Sequence, residues 1–62
     1  MMTLEEARLY KTAYHSVLEA FVGIEEVYTS QVAPDTLIFV CNSYAYDNTI
    51  AFTEGELSDF CL

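Results

Sequence analysis

The run from Thr36 to Glu54, TLIFVCNSYAYDNTIAFTE, is the most apolar in the chain, and the rest must be arranged around it. Leu37, Ile38, Phe39 and Val40 fit the pleated, half-buried surface that β-branched and aromatic side chains favour, so Thr36 to Cys41 reads as a strand. Two places can reverse the chain after it, Asn42-Ser43 and Asp47-Asn48. The second is preferred, because both its residues tolerate the positive φ of a two-residue primed turn and because it makes the faces consistent. It sets Tyr46 opposite Thr49 and Ser43 opposite Phe52. One face then collects Leu37, Phe39, Cys41, Ala45, Ile50 and Phe52. The other collects Ile38, Val40, Tyr44, Tyr46 and Ala51, among Asn42, Thr49 and Thr53. Two largely apolar faces need two covers.

Upstream, Thr3-Leu-Glu-Glu has the form of a capping box, in which Thr3 and Glu6 satisfy each other's backbone amides. Ala7, Tyr10, Tyr14, Val17, Leu18 and Phe21 follow at three- and four-residue steps, the spacing of one helical stripe. Gly23 is a natural stop. The pattern predicts a helix from about Leu4 to Val22, with Arg8, Thr12, His15 and Glu19 on its solvent side and Glu5–Arg8 and His15–Glu19 as surface pairs. Val27 to Val32 reads as a weaker strand, and Ala33-Pro34-Asp35 as a turn. Gly55 breaks the last strand, and Glu56 to Leu62 reads as a short helical turn or docked tail. The expectation is one α+β domain over residues 1–62, α-β-β-β, with the helix packed on a three-stranded antiparallel sheet. The helix would cover the Leu37, Phe39, Ile50, Phe52 face and leave Ile38, Val40, Tyr44 and Tyr46 open.

Ten acidic residues against two basic ones give a net charge of −8, and from Gly23 onward there is no lysine or arginine. Seven carboxylates fall in that part: Glu25, Glu26, Asp35, Asp47, Glu54, Glu56 and Asp59. Such a surface repels nucleic acid and anionic membranes and steers toward basic surfaces; solubility alone is the plainer explanation. Direct nucleic-acid binding is not expected, because aromatic stacking platforms go with basic grooves. No apolar run approaches the roughly 20 residues of a spanning helix, and no basic leader precedes an apolar segment, so a cytoplasmic location is expected.

No constellation in the chain carries chemistry. His15 is the single histidine, and on a helix its neighbour Ser16 points about 100° away, so no triad forms; a surface histidine is the expectation. There is no phosphate loop and no cysteine–histidine metal set. Glu25-Glu26 and Glu54-x-Glu56 lack the ordered oxygens of a calcium loop. Cys41 and Cys61 read as a buried thiol and a tail thiol. Neither a catalytic residue, a cofactor nor a metal is expected.

What remains is binding. The favoured expectation is a non-enzymatic acidic inhibitor that blocks the basic, nucleic-acid-binding surface of a larger protein. That is the manner of small phage-encoded anti-CRISPR and anti-restriction proteins, and the comparison rests on size, acidity and lack of catalytic groups. The seven carboxylates would supply electrostatics, and Ile38, Val40, Tyr44 and Tyr46 an apolar anchor. The alternative is a structural or regulatory homodimer meeting through the open sheet face.

Overall fold

The computed structural model describes residues 2–43 and 48–62. These form helix α1 (Leu4–Ala7), strands β1 (Thr12–His15), β2 (Ala20–Thr29), β3 (Leu37–Ser43) and β4 (Asn48–Thr53), a 3₁₀ turn (Glu54–Glu56) and β5 (Leu57–Cys61). All five strands belong to one antiparallel sheet of order β4-β3-β2-β1-β5. The expected α-β-β-β arrangement, a long helix on a three-stranded sheet, is therefore wrong.

The helix does start where the capping box places it. Glu6 N–H donates to the Thr3 hydroxyl at 3.2 Å, and the Thr3 amide donates back to the Glu6 carboxylate at 3.2 Å. It ends after one turn because Tyr10, Thr12, Tyr14, Val17, Phe21 and Val22 are all β-branched or aromatic and prefer extended backbone. In β1 the side chains alternate, with Ala13 and His15 buried and Thr12 and Tyr14 partly open. Residues 16–19 turn the chain, with Glu19 at φ 53°, and β2 returns. Tyr14 and Phe21, seven apart, are directly opposed across this hairpin with ring centroids 5.3 Å apart. A separation of seven suits a helical face and a tight hairpin equally, which is why the stripe misled.

β2 carries a bulge. Its register on β3 shifts between Ile24 and Glu26, and Glu25 is the extra residue. Glu25 and Glu26 are consequently both exposed, and Val27 comes back to the same buried side as Val22. The strand expected to reach Val32 ends at Thr29. The turn at Ala33-Pro34-Asp35 is present, closed by Thr36 N–H donating to Ala33 C=O at 2.8 Å.

In the β3–β4 hairpin Phe39 opposes Phe52 and Ser43 opposes Asn48. Asn42, Ser43 and Asn48 all lie in the ladder, so neither expected two-residue turn closes it; Tyr44, Ala45, Tyr46 and Asp47 lie outside the described residues. The register differs from the expected one by four residues. An even shift preserves faces: Leu37, Phe39, Cys41 and Phe52 of the expected face are buried, with Ser43 beside them, while Ile50 is half-buried.

The core is covered mainly by the sheet itself, and α1 adds only the buried Ala7 with Leu4 and Met2 packed beside it. β1 and β4 are three strand spacings apart, roughly 14 Å in a flat sheet, yet the His15 and Phe52 rings lie 4.1 Å apart. Phe39 of β3 and Phe60 of β5 meet likewise at 5.4 Å. The sheet is rolled, and its concave side encloses Val22, Val27, Leu37, Phe39, Cys41, Phe52 and Leu57. The 3₁₀ turn carries the chain from β4 across to β5. The sequence from Glu56 to Leu62, expected as a helical turn, is instead mostly the strand that pairs with β1, with Leu57 buried. No described helix is long and apolar enough to cross a membrane.

Candidate functional site

The six candidate carboxylates among the described residues are spread over several parts of the fold. Glu25 and Glu26 are exposed at the β2 bulge and line a cavity of about 340 Å³ with Arg8 and Tyr10. Arg8 does not pair with Glu5 as expected: its Nε–H donates to Val27 C=O at 3.2 Å, which holds a positive charge beside the bulge and offsets part of that negative potential. Asp35 and Glu54 both line a cavity of about 590 Å³ at the open end of the β3–β4 hairpin, together with Leu37 and Gly55. Asp59 is exposed in β5 at φ 50°, where the register on β1 shifts. Asp47 lies outside the described residues.

Glu56 has a structural task. Its Oε1 accepts from the Thr53 amide at 3.0 Å and from the Thr53 hydroxyl at 3.1 Å, a repeat at the 3₁₀ turn of the Thr3–Glu6 arrangement. These bonds, the amide foremost, together with the neighbouring His15, hold its carboxyl below the ordinary 4.5.

Of the apolar anchor, Ile38 and Val40 are half-buried on the convex side of the sheet. Val40 sits between Glu26 and Ala51, and Ile38 between Tyr28 and Thr53. Tyr44 and Tyr46 lie outside the described residues. Phe21, expected on the packed stripe of a helix, is 50% exposed, and Tyr28 is 41% exposed; both are aromatic surface.

His15 is the main correction within the candidate set. Expected on a solvent-facing helix side, it is 2% exposed and belongs to the inner face. Its Nδ1 accepts the Leu18 amide at 3.1 Å, its ring packs on Phe52, and its Nε2 points at Glu56 Oε2 from 3.6 Å, beyond hydrogen-bond reach. The carboxylate beside it is therefore Glu56, 41 residues along the chain, and not Glu19. The alternation in Thr-Ala-Tyr-His was the available signal, overridden by the helical spacing around it. Among the described residues no group of histidines, cysteines and acids is placed to hold a metal ion.

Both thiols are free, Cys41 buried and Cys61 exposed. Burial, and secondarily the charge of Glu25, push the Cys41 thiol up to about 11. Compared with protein-family models, curated proteins and solved structures, the chain matches none.

Proposed function

We propose that this chain is a non-enzymatic acidic binding module that occupies a basic, nucleic-acid-binding surface on a larger protein and thereby inhibits it. One observation carries the reading. From Gly23 onward the chain has no lysine or arginine, and of its six described carboxylates there five are exposed and Glu54 is half-buried. They sit at a bulge, a turn, a 3₁₀ turn and an edge strand, all braced by the rolled sheet. A rigid scaffold of this kind loses little conformational entropy on binding. A partner's lysines and arginines would release their own bound anions on meeting it, the inverse of the counterion release that drives protein–DNA association.

The test uses the intact chain as bait in a host lysate at low and at high salt. Captured proteins are identified and assayed for nucleic-acid binding with and without the chain. Retention should fall steeply with salt and with the combined reversal Glu25→Lys, Glu26→Lys, Asp35→Lys and Glu54→Lys, which spares the Glu56 cap. Salt-insensitive retention, or captured proteins whose nucleic-acid binding the chain leaves unchanged, would refute the proposal.

A further inference from the structure

The two edges of the sheet are unequal. β5 has five residues, is interrupted by a register shift, and carries Asp59 in the left-handed region. Bulges, charges and short length are the usual means by which a sheet edge is made unfit for further pairing. β4 has none of them. Its six residues, Asn-Thr-Ile-Ala-Phe-Thr, hold no charge and no proline, and they pair with β3 in unbroken register from Ser43↔Asn48 to Ile38↔Thr53. The backbone direction along this edge follows from one hydrogen bond. Thr53 N–H is donated to Glu56 and so points away from β3. Antiparallel strands alternate inward- and outward-pointing residues, so the amides and carbonyls of Thr49 and Ala51 also point outward, and both residues are exposed.

We infer that the β4 edge is a strand-addition site for an extended, basic segment of another protein. Backbone pairing would come from Thr49 and Ala51, the general mode of β-augmentation. The choice of occupant follows from charge. The cavity lined by Asp35, Leu37, Glu54 and Gly55 lies at the Thr53 end of the edge. A lysine or arginine from the added strand can lay its methylene stem over Leu37 and Gly55 and set its cation between the two carboxylates. A second copy of this chain is the poorer occupant, because each copy carries −8 and an antiparallel β4–β4 contact has nothing basic to meet Asp35 and Glu54. The inference rests on the reading of the chain as a protein-binding module, and it names the contact rather than the partner's activity.

The probe is a synthetic nine-residue peptide of alternating valine and lysine, titrated into the full chain and followed by amide NMR and calorimetry. Binding should perturb and protect the Thr49 and Ala51 amides. Methylating alternate backbone nitrogens of the peptide, with its charge unchanged, should weaken binding by at least roughly ten-fold. The pair Asp35→Asn and Glu54→Gln should weaken it by about ten-fold. Ala51→Pro, which removes an outward amide, should abolish it, and the methylated peptide gives the same information without altering the protein. Equal binding of the methylated peptide, equal binding of a valine–threonine peptide, or shifts centred on Glu26 and Val40 would each overturn the inference. So would a dilution-resistant dimer that Ala51→Pro dissolves, since the edge would then be taken by a second copy. These readouts need no nucleic acid, so their failure is separable from failure of the inhibitory role.

Discussion

Replacing His15 with alanine tests the fold where it departs most from a surface reading. The imidazole is 2% exposed, packs on Phe52 at 4.1 Å and accepts the Leu18 amide at 3.1 Å. Truncating a buried ring to alanine costs about 3 kcal/mol or somewhat less for one of this size, and leaving the Leu18 amide without its acceptor adds about 1 kcal/mol. A total of roughly 3–4 kcal/mol is a large share of the 3–9 kcal/mol that about 0.05–0.15 kcal/mol per residue gives a domain of this length. Urea unfolding followed by circular dichroism should show the midpoint collapse, with part of the population unfolded in buffer. Two companions divide the cost. His15→Asn keeps an oxygen near the Nδ1 position and should retain the Leu18 bond while losing packing. His15→Phe should keep the volume and the Phe52 contact while orphaning the amide. Both should fall between wild type and His15→Ala. A loss below about 1 kcal/mol for His15→Ala, the scale of an exposed substitution, would refute the interior placement.

Three further outcomes follow from the same geometry. Because the Glu56 carboxyl is held below 4.5 in the fold, its contribution is present above that value and lost as the pH falls through the folded one. The difference in unfolding midpoint between wild type and Glu56→Gln should therefore be largest near neutrality and shrink below pH 4.5. Iodoacetamide at pH 8 should label native protein once, at Cys61, and denatured protein twice; fast double labelling of the native state would contradict the burial that pushes Cys41 to about 11. Deleting Glu25 should be far more damaging than Glu25→Ala, because removing the bulge turns Val27 out of the core. The single substitution should stay within about 0.5 kcal/mol, as exposed changes usually do, and matched denaturation curves would expose any other order.

Local chemistry made several features legible in the chain itself. Thr3 with Glu6 marks a helix start, and Ala33-Pro34-Asp35 a turn, because each depends on residues within four positions of one another. The division of 37–41 into inner Leu37, Phe39 and Cys41 against outer Ile38 and Val40 is fixed by period-two alternation, and it survived a register error of four residues because four is even. The charge asymmetry is a property of composition alone.

Only the tertiary structure decided the rest. The seven-residue separation of Tyr14 and Phe21 describes a helical face and a hairpin alike. The choice went to the strand because β2 and β5 offered β1 a hydrogen-bonding partner on each side, which no window along the sequence contains. The same closure turned His15 inward, set Glu56 beside it from across the chain, and put Asp35 and Glu54 on the wall of one cavity. A sheet that rolls until its first and fourth strands touch needs only the single turn of α1, through Ala7 and Leu4, to complete its core. That closure comes from contacts between residues far apart in sequence, whereas periodicity reports only on near ones.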